Sequence, residues 1–418
     1  MTAHRSEFLK IMEERGFIHQ CTNLEGLDEL LRKETVTAYC GVDPTGDTLH
    51  VGHMIPYLMM RWFQKCGHRP IVLIGGVTAM IGDPTGKDDS RNMLTEETTQ
   101  KNAESISRFF KKIIRFEDAN SNRPTAKMVN NSDWLRQLNY VDFLRDYGAH
   151  FSVNKMLSMD SVKTRLEREQ PLSFLEFNYM IMQGYDYLEL YRKEGCKLQM
   201  AGSDQWGNII QGIELARRVD RVEIFGLTAP LLTTASGKKM GKTEDGAVWL
   251  DADKLSPYDF YQYWRNTEDG DVGRFLKIFT ELSIAEIGKL EALKGAEINE
   301  AKKVLAFEVT KLVHGETAAT EAAETARKAF EEGQLNEAPE VRLSVSGDTV
   351  SVVDLATSTG FVKSNGEARR KIQEGAMKLN GEKISDPQST LAVSDITDGR
   401  ITVSIGKKKH AVVVLETG

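Results

Sequence analysis

YCGVDPTGDTLHVGH, residues 39–53, is the stretch on which the reading of this chain turns. An apolar approach through Val36 and Ala38 reaches Gly41, a Pro-Thr-Gly turn follows at 44–46, and an apolar helix-like run extends from about His50 to Cys66. Next comes PIVLIGG, residues 70–76, a continuous apolar run bounded by proline and glycine, as a strand covered on both faces should be. Strand, turn, helix and buried strand make a βαβ unit, so the order predicts an α/β protein built on an open, Rossmann-like parallel sheet. Ligands of such sheets bind beyond the carboxyl ends of the strands. His50 and the GDPTGK stretch at 82–87 both fall there.

His50 and His53 stand three residues apart, a spacing that shares one helical face. In a first helical turn, backbone N–H groups and the helix dipole already favour a phosphate. Capping or packing is the ordinary explanation of two histidines beside a turn, and on these residues alone it stands.

The bulk numbers set limits. A chain of 418 residues is long for one core and suggests two or three domains. Its net charge of −7 gives no overall attraction to nucleic acid, so any such contact must use local basic patches. Cys21, Cys40, Cys66 and Cys196 are scattered, which indicates neither a disulfide framework nor a zinc knuckle and suits a reducing compartment. No apolar run reaches the roughly 18 residues of a membrane helix. The mixed charges of the first residues are neither a signal nor a transit peptide, so a cytoplasmic protein with no membrane or DNA partner is expected. Along the chain, residues 1–252 read as the nucleotide-binding domain and 253–332 as a helical, Ala- and Glu-rich domain. Residues 333–341 read as a polar linker, and 342–418 as a small α+β domain carrying 11 basic against 9 acidic residues after position 340.

Three further segments bear chemistry. GDPTGKDDSR at 82–91 is not a P-loop: too few residues separate Gly82 from Gly86, and Asp88 follows Lys87 where a magnesium-binding hydroxyl is needed. A surface turn with solvated charges explains it as well as a phosphate loop does. In NYMIMQGYDY at 178–187, Tyr179, Gln183 and Asp186 recur at helical spacing as one polar stripe. If buried, that stripe must find partners; by spacing alone it is the wet side of an amphipathic helix. SGKKMGKTEDG at 236–246 sets Lys238, Lys239, Lys242 and Thr243 among glycines, which suits polyphosphate contact or a solvated charge run.

Order and company decide among these. HVGH and KMGKT resemble the HIGH and KMSKS signatures of class I aminoacyl-tRNA synthetases. YCGVDPTGDTLHVGH, IGDPTGK, FNYMIMQGYDY and GSDQWGN are similar to the bacterial-type tyrosine branch. The resemblance covers nearly the whole chain. Gly241 and Thr243 stand in place of the two signature serines, while Lys239 and Lys242 keep their positions.

That resemblance implies a tyrosine–tRNA ligase. L-tyrosine and ATP give tyrosyl-adenylate and pyrophosphate, and the tyrosyl group then passes to the 3′ end of tRNA(Tyr). The amino acid's carboxylate is already the nucleophile, so the protein must orient two substrates and stabilise developing charge, without a catalytic dyad. By the family's motifs, Thr45 and His50 would bind the γ-phosphate and His53 would support the nucleotide near its ribose. Lys87, Arg91, Lys239, Lys242 and Thr243 would gather round the departing pyrophosphate, a contact that raises rate if it tightens in the transition state. Gly202 and Asp204 would hold the ribose and Gln205 the reacting carboxylate, while Gly41 and Asp43 leave room for the adenylate. Asp83, Tyr179 and Gln183 would take the substrate ammonium, and Tyr39 with Asp186 its phenolic hydroxyl. Phenylalanine would leave that last pair unsatisfied, a rejection for which this family is itself the standard worked case. Magnesium is expected to arrive with ATP, with no protein-liganded metal.

Residues 351–414 resemble a small RNA-binding module shared with a ribosomal protein, and Arg369, Arg370, Lys371 and Lys383 would be its RNA contacts. Domain roles follow from the same resemblance: a dimer-forming insertion within 1–252, an anticodon-side role for 253–332, and a homodimer overall. Three rival readings are a different HxGH nucleotidyltransferase, a tryptophan enzyme, and a catalytically silent RNA-binding protein. An indole ring has no hydroxyl to satisfy both Tyr39 and Asp186, and retention of both histidines and both signature lysines argues against silence.

Overall fold

The apolar runs become strands of one sheet. β1 (Gln20–Cys21), β2 (Thr37–Val42), β3 (Arg69–Ile74), β4 (Lys127–Asn130), β5 (Cys196–Gly202) and β6 (Phe225–Ala229) lie in the order β1-β6-β5-β2-β3-β4. Neighbours are parallel except β1, which runs antiparallel to β6 at one edge. In β3 only Arg69 is exposed, the signature of a strand covered on both faces. The chain steps from β2 to β3 and β4 on one side, then lays β5 and β6 on the other. Strand order therefore reverses between β2 and β5, which opens a crevice at their carboxyl ends. The computed structural model describes residues 4–84, 94–116, 124–235, 237, 240–243, 246–336, 340–345, 347–396, 399–406 and 409–417. It gives the backbone alone at 242, 243, 246, 329–336, 410 and 417.

The helix expected from His50 begins later. Val51–His53 is a 3₁₀ turn, and the α-helix proper is Met54–Lys65. Phe174–Glu194 starts with a Ser173/Glu176 capping box and ends at Gly195 in the left-handed conformation. It crosses the Trp206–Val219 helix where Gly184 meets Gly212: a Cβ on Gly184 would stand 3.4 Å from the Gly212 nitrogen.

Two compact units make up the chain, Met1–Ala323 and Glu324–Gly418. Within the first, the helices Pro257–Arg265, Val272–Phe279, Ile284–Glu291 and Ile298–His314 pack round Phe260, Trp264, Phe275 and Phe279. Arg15, at the end of the N-terminal helix, donates to the carbonyls of Lys277, Thr280 and Leu282 and ties this segment to the sheet layer. Helix Glu316–Asn336 runs into the stretch read as a linker, and strand Glu340–Val345 begins before that stretch ends. An Ala- and Glu-rich run propagates helix more readily than its single glycine stops it.

The second unit has a five-stranded sheet in the order 382–384, 377–379, 400–405, 409–417, 340–345. Its core is formed by Val353, Leu355, Ile372, Met377, Val403 and Val413 with their neighbours. Among the described residues no helix is long and apolar enough to cross a membrane.

Candidate active site

A cavity of about 380 Å³ opens at the reversal point of the sheet. Tyr39, Gly41, Asp43, Thr45, His50, His53, Asp83, Tyr179, Gln183, Asp186, Gly202, Asp204 and Gln205 all line it. β2 supplies its floor, the 174–194 helix one wall, and the β5 carboxyl end another. Lys87, Arg91 and Lys239 lie outside the described residues. Lys242 and Thr243 are described as backbone, in a two-residue strand paired with Gly246–Ala247.

The deep end is a network of side chains. Asp186, 2% exposed, accepts from Asn131 Nδ2 at 3.0 Å and Trp134 Nε1 at 2.7 Å. Burial raises its carboxyl to about 7 against the pull of those two donors. The Tyr39 ring, edge-on to Tyr187 at 5.1 Å, carries a buried hydroxyl with no partner among the described residues. The Gln183 Oε1 and Gln199 Oε1 atoms are likewise buried and unpartnered. Unsatisfied buried polar atoms are costly in an empty protein and purposeful beside a polar ligand. Burial also holds the Tyr39 phenol well above its usual titration range, so it remains a neutral hydrogen-bonding group.

Nearer the mouth, charge turns negative. Asp43 accepts from Tyr179 Oη at 2.8 Å and from Thr78 Oγ1 at 2.7 Å. More than leaving space, it buttresses Tyr179. A Cβ on Gly75 would stand 2.0 Å from Asp43 Oδ1, so only glycine admits that carboxylate. Burial, with Asp43 and Asp83 nearby, pushes the Tyr179 phenol well up. Asp83 Oδ2 accepts from Gln205 Nε2 at 2.7 Å, and Gln205 Oε1 accepts from Asn208 at 3.1 Å. Carboxylate and amide thus sit side by side on the cavity wall. At Gly202 a Cβ would meet Asp204 Oδ1 at 2.5 Å, while at Gly41 it would meet only Leu73 at 3.9 Å and otherwise project into the cavity.

The histidines do not share one helical face. His50 is in extended backbone as the cap of the 3₁₀ turn; its Nδ1 accepts from Gly52 N–H, and His53 Nδ1 accepts from His50 N–H. Each is locked by a main-chain donor, so in the neutral rings the proton sits on Nε2. Ring centroids are nevertheless 4.0 Å apart. Capping is thus the work of the two Nδ1 atoms.

The signature segment meets this turn through its backbone. Val51 N–H donates to Val248 O, Leu250 N–H to Leu49 O, and Val248 N–H to Gly241 O. Gly241 has φ +91°, and a Cβ there would lie 2.9 Å from the Gly52 nitrogen and 3.1 Å from His50 Nδ1. The glycine in the first signature-serine position is therefore what this close approach needs.

Asn131, Trp134, Thr78 and Gln199 escaped sequence reasoning. Gln199 left a signal, a polar residue in the middle of the apolar run of β5; the others have none nearby in the chain. In the second unit, Arg369 and Arg370 are exposed on helix Asn365–Gln373, Lys371 pairs with Glu374 at 2.7 Å, and Lys383 faces Lys378 across an antiparallel pair.

Comparison with known proteins completes the description. Residues 31–331 match the model of the class I tRNA synthetases (W and Y), and 330–413 match the C-terminal domain of SYY-like tyrosine–tRNA ligases. Tyrosine–tRNA ligases of Bradyrhizobium diazoefficiens and Agrobacterium fabrum are 55% and 54% identical to the chain, over 99% of each sequence. A C-terminally truncated mitochondrial tyrosyl-tRNA synthetase of Aspergillus nidulans is 33% identical with a TM-score of 0.70, covering 78% of this chain and 95% of that one. A tryptophanyl-tRNA synthetase of Encephalitozoon cuniculi shares the fold alone, at 13% identity and TM-score 0.55, over 76% of this chain and 91% of that one. The chain belongs to the class I tRNA synthetase family of the tryptophan and tyrosine enzymes and carries the C-terminal domain of its tyrosine members.

Proposed function

We propose that this enzyme joins L-tyrosine to ATP and then to tRNA(Tyr), with the cavity divided between an amino-acid end and a phosphate end. The observation that carries the reading is the unpartnered, buried Tyr39 hydroxyl beside the buried Asp186 carboxylate. A phenolic hydroxyl can donate to Asp186 and bond Tyr39 at once. Asp83, Tyr179 and Gln183 receive the ammonium, in the negative field around Asp43 and Asp83. Gln205 holds the carboxylate, and one of that group's oxygens attacks the α-phosphorus as the bond to pyrophosphate breaks. Gly41 and Asp43 leave the adenylate its place, Gly202 and Asp204 hold the ribose, and His53 supports the nucleotide. Thr45 and His50, with the Nε2–H of the latter, bind the γ-phosphate. Lys87, Arg91, Lys239 and Lys242 neutralise the charge that grows on pyrophosphate, and the Thr243 hydroxyl donates to it. Magnesium enters with ATP, bound to its phosphates. In the second step a terminal hydroxyl of the tRNA attacks the adenylate carbonyl and AMP leaves.

The domain roles belong to the same reading: catalysis in 1–252, the anticodon side in 253–332, a connection at 333–341, and RNA binding in 342–418 through Arg369, Arg370, Lys371 and Lys383. Lys378, set directly across from Lys383, adds a second cation whose mutual repulsion an RNA phosphate would relieve. A homodimer in the cytoplasm completes it. Val141, Val153, Leu166 and Phe174, each about half exposed or more, fall in one stretch and suit a partner's surface.

ATP–pyrophosphate exchange with single amino acids tests the activity: tyrosine alone should support rapid exchange, and equal exchange with phenylalanine or tryptophan would contradict it. Removal of residues after 340 should leave exchange intact and cut tRNA charging at least tenfold, by loss of several phosphate contacts. Undiminished charging would remove the tail's role.

A further inference from the structure

An aspartate outside the cavity lining holds the root of the signature segment. Asp271 is the N-cap of helix Val272–Phe279, a position where the side chain normally accepts from the first turn of its own helix. It makes no such cap. Instead its Oδ2 accepts from Ala235 N–H at 2.7 Å, and its Oδ1 accepts from Arg274 Nη2 at 2.8 Å. The same Arg274 nitrogen donates to the Thr233 carbonyl. Asp271 is 2% exposed while the Arg274 side chain is 43% exposed, so a buried carboxylate anchors a charge-assisted clasp whose other half reaches the surface.

The clasped residues continue the cavity wall. Leu231 and Leu232 line the cavity, and Thr233–Ala235 follow directly in the chain. Beyond them, Met240 N–H returns to Leu232 O at 2.9 Å, and Gly241 closes on Gly52. Lys239 therefore sits in a segment whose start is bound to Asp271 and whose end is bound to Leu232 and to the histidine turn.

We propose that Asp271 is a positioning residue for tyrosine activation: by clasping the Thr233–Ala235 backbone it lets the 253–323 helices set where the signature lysines stand. The inference rests on the reading that Lys239 and Lys242 serve the ATP phosphates. It adds that their placement is governed by the helical segment rather than by the sheet that holds the amino acid. Misplacement of a positioned charge by about 1 Å can cost roughly a hundredfold in rate, whereas tyrosine binding on the opposite wall should not register it.

Pyrophosphate exchange and equilibrium tyrosine binding on the full-length enzyme test this. Asp271→Ala should lower kcat by roughly ten- to a hundredfold, raise KM for ATP, and leave the tyrosine Kd within about twofold. Asp271→Asn, whose amide oxygen still accepts from Ala235, should recover most of the rate. If thermal melting shows that Asp271→Ala does not fold, Arg274→Met carries the test, because it removes the Thr233 clasp from a half-exposed site and should show the same split. An unchanged rate, or a parallel loss of tyrosine binding in a folded variant, overturns the proposal. Lys242→Ala separates the two layers: retained exchange in that variant overturns the underlying reading, whereas its loss beside a fully active Asp271→Ala overturns the clasp alone.

Discussion

The two ends of the cavity are built from different materials. The end we assign to the amino acid is built of side chains: Tyr39, Tyr179 and Asp186 are almost wholly buried, Asp186 is held by Asn131 and Trp134, and Tyr179 by Asp43, which Thr78 braces in turn. At the end we assign to the phosphates the contacts are mainly backbone, through the 3₁₀ turn, the Val248–Leu250 pairing and the Gly52–Gly241 approach. A group that must reject a ligand lacking one hydroxyl needs a fixed, desolvated partner. Groups that meet a leaving polyphosphate need main-chain donors and long cations able to close on charge as it forms. One end is expected to govern selectivity and the other rate.

Asp186→Asn should break the amino-acid end most severely. It replaces an acceptor with a mixed group among donors from Asn131 and Trp134, and should cost about 3 kcal/mol, on the order of a hundredfold, in kcat/KM for tyrosine. Activity with phenylalanine should change far less. Gly241→Ala is the counterpart at the phosphate end. Its Cβ meets the Gly52 nitrogen in a left-handed backbone, a strain of about 1–2 kcal/mol, so exchange should slow about tenfold while tyrosine binding holds. Equal damage to both parameters in either variant would blur the division.

Asn131→Ala sharpens it more gently. Removing one donor from a buried carboxylate should raise the Asp186 pKa further and weaken tyrosine binding by about 1 kcal/mol, measured by calorimetry at pH 7. pH acts on the same group in the intact enzyme. With a folded carboxyl near 7 against an ordinary 3.8, Asp186 is largely protonated at pH 6 and ionised by pH 8. If the carboxylate is the better acceptor for the phenol, the tyrosine Kd should fall by up to about tenfold across that interval, and Asp186→Asn should flatten the curve. Stability runs the other way. The folded state keeps a proton that the unfolded chain has released, so this group's contribution is present at low pH and is lost as pH rises from about 4 through about 7.

Much of this was legible in the chain because it is local. A short apolar strand, a Pro-Thr-Gly turn and PIVLIGG specify a βαβ unit through periodicity and turn chemistry, and the sheet has that order. Tyr179, Gln183 and Asp186 were visible as a stripe, but spacing cannot tell a wet face from a ligand face; that depends on which wall the helix presents. Asn131 and Trp134 reach Asp186 from more than 50 residues away, and nothing around them marks that contact. The helix start was misjudged because the His50 ring captures Gly52 N–H and holds its own backbone extended. Asp271 looks like an ordinary helix cap in sequence, and only the fold brings Ala235 to it.

The division between the two ends is tested most directly by one ratio, kcat/KM for tyrosine over kcat/KM for phenylalanine in pyrophosphate exchange, in Tyr39→Phe and His50→Ala side by side. Tyr39→Phe should lower the ratio at least tenfold by removing the hydroxyl that meets the substrate's own. His50→Ala should depress both substrates together and leave the ratio where it was. A ratio unchanged in Tyr39→Phe, or one that falls as far in His50→Ala, would contradict the assignment of selection to one end and rate to the other.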